Sequence, residues 1–160
     1  LSPTPYPPSL HDSRPIAIPS ANISVVPFDG GKARVIAGEF DGVAGPASTF
    51  TPVNLWDVRL DAGTQTTLDL PDGHNSMIAV LSGHITIDGQ SVSEAEIARF
   101  ETEGRGTMVR ADGDAILLVM TGEPIEEPVV GQGPFVMNTE AEIRAAMTDY
   151  SSGRFAQMAS

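Results

Sequence analysis

The sequence predicts an all-β domain, a sandwich or closed barrel of short strands, followed by a single C-terminal α-helix. Three observations carry this expectation. Between Ile23 and Gly122, brief β-rich runs alternate with clusters of Gly, Asp, Pro and Asn, the spacing of sandwiches and barrels. Those clusters supply turn chemistry, because Asp and Gly tolerate positive φ and Asp can close an Asx-turn. One segment near the end has a helical period instead. There Thr139 and Glu142 form a capping box, Ile143, Ala146, Met147 and Tyr150 share a face, and Gly153 is placed to stop the helix.

Taken in order, residues 1–22 contain Pro3, Pro5, Pro7, Pro8, Pro15 and Pro19, a density that favours extended backbone and reads as an arm or linker. The alternative is an N-terminal strand along the barrel edge. Residues 23–160 form the domain. Strands are expected at Ile23–Val26, Ala33–Ala37, Asn54–Leu60, Gln65–Leu70, Met77–Ser82, His84–Ile87, Ala98–Phe100, Gly106–Arg110 and Ala115–Thr121. Turns fall at Asp29-Gly30-Gly31, Asp61-Ala62-Gly63, Pro71-Asp72-Gly73, Asp88-Gly89 and Asp112-Gly113-Asp114. Residues 38–53 show no clear period and are expected to be a surface loop. The helix is expected over about 139–152. A length of 160 residues with 41% hydrophobic content suits one core.

The charge narrows the partners. Nine Lys and Arg stand against 21 Asp and Glu, a net charge of -12, which repels phosphate backbones and anionic lipid surfaces. Direct nucleic-acid binding and membrane binding are therefore not expected. With no cysteine there is no disulfide framework, thiolate metal site or catalytic thiol, and a cytoplasmic location is the default expectation. No apolar run approaches the roughly 20 residues of a membrane span.

The stretch Pro71-Asp72-Gly73-His74-Asn75-Ser76-Met77-Ile78-Ala79-Val80-Leu81-Ser82-Gly83 resembles the first cupin motif. Further segments sharpen the resemblance: Arg34 to Val43, Gly122 to Val129, and Gly133 to Thr139, with Glu142-Ile143-Arg144, Asp149-Tyr150 and Gly153-Arg154-Phe155 after them. Together, over roughly residues 33–155, they resemble the C-terminal cupin domain of the pirin family. The resemblance implies a cupin-type jelly-roll barrel. It also implies a two-cupin parent whose iron-type metal sits in the N-terminal cupin on three His and one Glu. Some members of the family have quercetin 2,3-dioxygenase activity and others modulate transcription. This chain would hold only the second half, with the Pro-rich opening as the joining segment.

The cupin pattern can be tested residue by residue. A metal-binding cupin places His-x-His, then Glu, then Gly seven residues further on. Anchored on Gly83, the Glu position falls at Ser76 and the His positions fall near Leu70 and Asp72. In the second motif Ile116 occupies the His position. A divalent iron, nickel or copper ion needs about three or four N/O ligands, whereas His11, His74 and His84 have no paired spacing. No metal ligand and no catalytic residue is predicted, and a cofactor is expected only with an N-terminal cupin. Alternation along the strands makes Ser76, Ile78, Val80, Ile116, Leu118 and Met120 the expected barrel interior, each large aliphatic contributing about 1.5–3 kcal/mol when buried.

Other constellations carry less. Trp56, Val58 and Leu60 alternate onto one face as core or interface, with Asp57 and Arg59 opposite and able to pair. Ser76, Ser82 and Ser93 lack a nucleophile elbow, and Glu94, Glu96, Glu126 and Glu127 read as exposed loop charges. The tail residues Phe135, Met137, Ile143, Met147 and Phe155 form a candidate interface. The expected partner is the N-terminal cupin of a parent protein, or a second copy in a homodimer. The sequence thus predicts a metal-free, non-catalytic cupin with a structural or partner-binding role. The alternatives are part of a metal-dependent quercetin 2,3-dioxygenase, or a small-ligand-binding cupin whose interior is open at Ser76.

Overall fold

Turn chemistry sets the architecture of residues 17–154, which the computed structural model describes. β1 (Ser24–Phe28) and β2 (Gly31–Ala37) flank Asp29-Gly30, and a small hairpin follows, β3 (Glu39–Phe40) with β4 (Val43–Ala44). Then come β5 (Val53–Leu60), β6 (Gln65–Leu68), β7 (Asn75–Ser82), β8 (His84–Ile87) and β9 (Gln90–Ser93). β10 (Ile97–Arg99), β11 (Thr107–Ala111) and β12 (Ala115–Gly122) complete the larger unit. A hairpin of β13 (Val130–Gln132) and β14 (Phe135–Met137) leads into α1 (Glu140–Ser151).

The hairpin between β8 and β9 shows how local sequence fixes register. Asp88 and Gly89 both have positive φ, 48° and 79°, as a two-residue turn of the primed type requires. Ile87 consequently faces Gln90 and Ile85 faces Val92. Gly83, between β7 and β8, has φ 85°, and a Cβ there would overlap the backbone carbonyl of Asp114, so only glycine fits.

The strands assemble into an antiparallel six-stranded sheet, β1-β2-β5-β12-β7-β10, and an antiparallel four-stranded sheet, β6-β11-β8-β9. Their crossing order is that of the expected jelly roll. Inward side chains from both sheets make one core, including Val35, Trp56, Val58, Leu60, Ile78, Val80, Ile85, Val109, Leu117 and Val119. The chain divides into two compact units, split between Pro124 and Ile125. In the second unit α1 lies against β13 and β14, and Phe135 meets Tyr150 edge-on at 6.0 Å. Thr139 caps α1 with the expected box: its side chain accepts from Glu142 N, and Glu142 accepts from Thr139 N at 2.8 Å. No described helix is long and apolar enough to cross a membrane.

Three expectations need correction. Residues 38–53 are not simply loop, because Asp41-Gly42 turns β3 onto β4. The polar run Gln90–Ser93 is a strand, held by its hairpin with β8 despite having one large apolar residue. The third concerns β12, where Ile116, Leu118 and Met120 are not interior. Ala115, Leu117, Val119 and Thr121 are the buried set, and the other three occupy the outer face. β12 reads Ala-Ile-Leu-Leu-Val-Met, apolar at both parities, so alternation alone cannot say which side is in. Of the expected arm, residues 1–16 lie outside the described residues, while 17–22 are largely exposed with a 3-10 turn at Ser20–Asn22.

Candidate functional site: the barrel interior and its rim

The middle of the barrel is filled. On β7, Ile78 and Val80 are 0% and 1% exposed, and on β12, Leu117 and Val119 are both 0% exposed. Ser76, also buried, starts the polar end of the barrel. Register places Thr121 beside both Ser76 and Asn54, and the three belong to the inward parity of their strands. Asn54 Nδ2 donates to Thr121 Oγ1 at 3.0 Å, and Asn54 Oδ1 accepts from Glu39 N at 3.1 Å. His74 Nδ1 lies 3.2 Å from the same Thr121 Oγ1. That oxygen accepts from Asn54 and keeps both a proton and a second lone pair, so it can donate to Nδ1 or accept from it according to the imidazole tautomer. One row further in, Trp56 Nε1 is buried without a hydrogen-bond partner among the described residues, and Phe40 packs edge-on against the indole at 5.0 Å.

This donor set does not fit the iron-type metal that a catalytic cupin holds. Around Ser76 it offers two hydroxyls, one carboxamide and one imidazole. No carboxylate joins them to balance a divalent charge. Among the described residues no three of His, Cys, Asp and Glu gather as a group able to hold a metal ion. His84 belongs to the other sheet, with Nε2 at 3.2 Å from Ser91 Oγ, and His11 lies outside the described residues. The polar rim is therefore a side-chain hydrogen-bond network at one end of the barrel.

The outer face of the six-stranded sheet is unusually apolar. Met120 stands between Leu55 and Met77, and Leu118 stands between Asp57 and Ala79. Most of these side chains are half-buried, while Leu81 and Ile97 nearby are 52% and 61% exposed. An antiparallel sheet with one solvated face ordinarily alternates to polar residues there. Polar groups border the patch instead: Asp57 Oδ2 accepts from Arg34 Nη1 at 2.9 Å, with Arg59 Nε 3.5 Å from Oδ1.

The candidate tail interface separates into different environments. Ile143 is buried along with Ala146, Phe135 and Met137 are half-buried, and Met147 is exposed. Phe155 lies outside the described residues. Elsewhere on the surface, hydrogen bonds from Arg105 hold the Asp69 carboxyl below its ordinary value of 3.8.

Sequence reasoning missed a cleft of about 620 Å³ between β9 and β10, floored by Ile87, Val92, Ala98 and Phe100. Its signal lay in the Asp88-Gly89 turn, which announces a hairpin whose second strand is too polar to recognise by hydropathy.

Comparison with known proteins matches residues 55–156 to the family described as the pirin C-terminal cupin domain. A Pseudomonas aeruginosa protein provisionally named quercetin 2,3-dioxygenase is 42% identical over 130 residues, covering 81% of this chain and 46% of the relative. Mouse pirin is 34% identical over 137 residues, covering 79% of this chain and 45% of its own length. The crystal structure of quercetin 2,3-dioxygenase from Acinetobacter baumannii superposes with a TM-score of 0.74 at 38% identity, covering 89% of this chain and 50% of that one. The chain spans about half the length of the curated relatives it matches.

Proposed function

Because the chain belongs to the pirin family, with residues 55–156 matching its C-terminal cupin domain, we propose that it is a metal-free, non-catalytic cupin that works by packing against a second cupin domain. The observation that carries this reading is the outer face of the six-stranded sheet, where Leu55, Met77, Ala79, Leu118 and Met120 adjoin one another. An apolar face of that kind is stabilised by a covering layer. The relatives are about twice as long and are matched over about half their length, and in this reading their other half is the covering layer. In this role the domain stabilises its partner and presents the acidic surface of the pair. We place it in the cytoplasm, in keeping with its cysteine-free composition.

The rival reading, a quercetin 2,3-dioxygenase, draws on the names of the relatives. The chemistry would then lie in residues of another domain, since the rim network around Ser76 supplies no ligand set. A small-ligand-binding barrel is disfavoured by the filling of the interior with Ile78, Val80, Leu117 and Val119.

The test is native mass spectrometry with elemental analysis and a quercetin oxidation assay, on the chain alone and mixed with the N-terminal cupin half of the Pseudomonas relative. The expected result is sub-stoichiometric metal, no turnover by the chain alone, and a one-to-one complex with the added half. A full equivalent of iron, nickel or copper per chain together with turnover would overturn the proposal.

A further inference from the structure

We propose that the open seam between β9 and β10 docks an extended peptide that alternates apolar and basic side chains and adds as a strand to the free edge of β10. The inference does not depend on the domain's partner or on metal chemistry.

Hydrogen-bond parity identifies the edge. Val80 N donates to Glu96 O at 3.0 Å, Phe100 N donates to Ser76 O at 3.0 Å, and Ala98 lies opposite Ile78. Residues 96, 98 and 100 therefore spend their backbone groups on β7, while Ile97 and Arg99 turn their N–H and C=O groups the other way. β10 is the last strand of its sheet, so those groups face the seam. An edge of this kind is a template for strand addition. The opposite wall is less available, because Ser93 N on β9 already donates to Glu96 Oε2 at 2.7 Å.

The seam also sets the side chains. Ile87, Val92, Ala98 and Phe100 floor a cleft of about 620 Å³, within the usual range for a binding site. A strand laid along β10 sends every second side chain toward that floor and the others toward the rim. The rim carries Asp88, Glu96 and Glu101 against the single Arg99, on a chain of net charge -12. Apolar residues at one parity and basic residues at the other match both surfaces. A second copy of the chain would bring the same acidic edge to it. The chain's own residues 1–16 hold one basic residue, Arg14, and five prolines, which cannot donate to a ladder.

The experiment is amide NMR on the full chain, titrated with a capped seven-residue peptide alternating lysine and valine. The largest shifts are expected at Ile97 and Arg99, weakening as salt is added. The same peptide with N-methylated backbone amides should bind at least about tenfold more weakly, the equivalent of one or two lost hydrogen bonds. A glutamate–valine peptide should give no shift. Ile97→Pro should weaken binding by a similar factor while leaving the β7 ladder intact, since the Ile97 N–H takes no part in it. Should that variant unfold, the N-methylated peptide still decides the matter. Equal binding of the methylated peptide, shifts confined to another surface, or no shift at millimolar peptide would overturn the proposal. So would a doubled mass with β10 broadening before peptide is added, which would assign the edge to a second copy.

Discussion

Leu117 and Leu118 are neighbours on β12 that serve opposite sides of one sheet: Leu117 is sealed in the barrel core, and Leu118 is half-buried on the outer face beside Ala79. Leu117→Ala should therefore cost about 2–5 kcal/mol, the range for a core cavity. Leu118→Ala should cost about 1 kcal/mol. Urea unfolding of the two variants checks the assignment, and equal losses would contradict it.

Placing a charge on the outer face separates folding from association. Leu118→Glu should keep the native circular dichroism spectrum while abolishing the one-to-one complex with the added cupin half, because an unpaired carboxylate would be buried at the contact. Titration calorimetry reads the loss, and undiminished binding would move the interface elsewhere.

Thr121 is the hub of the rim, touching both His74 and Asn54. Thr121→Val should cost about 1–3 kcal/mol, because it leaves the Asn54 amide without its acceptor, whereas His74→Ala should cost about 0.5–1.5 kcal/mol. Chemical denaturation ranks the two.

Gly83→Ala tests the β7–β8 turn. The alanine would have to hold a positive φ with its methyl group against the Asp114 carbonyl, so a loss of at least about 1–3 kcal/mol is expected. Thermal unfolding measures it, and an unchanged midpoint would mean that the turn opens freely.

The Asp69–Arg105 pair offers a pH signature. Its hydrogen bonds depress the Asp69 pKa in the folded state, so any stability it contributes is present above the unfolded value and is lost as pH falls through the folded one. Both side chains are largely exposed, and screening keeps the energetic effect small. Carboxyl NMR should find a midpoint below 3.8 that rises toward it in Arg105→Ala.

Most strands were legible because their ends are written in Gly and Asp, and α1 was legible because capping and period agree. Two kinds of information escaped. β9 is polar and short, so it becomes a strand only through the Asp88-Gly89 turn that folds it onto β8. On β12 both parities are apolar, and its orientation follows from pairing with β5 and β7, including the register shift between Ile116 and Leu117. The rim was half legible: Ser76 drew attention as a cupin position and His74 as a histidine without a paired ligand, but Asn54 and Thr121 join them only through pairings across 67 and 47 residues of sequence.

The position of β12 between β5 and β7 also imposes a timetable on synthesis. Neither neighbour has its final partner on that side until residue 122 has left the ribosome, so β5 waits with an open edge while some sixty further residues are made, and β7 while some forty are. Such long-range pairing is slow to form and aggregation-prone until it does. Substitutions that delay β12, even silent ones that slow its translation, should reduce the yield of soluble chain without altering the stability of the molecules that fold.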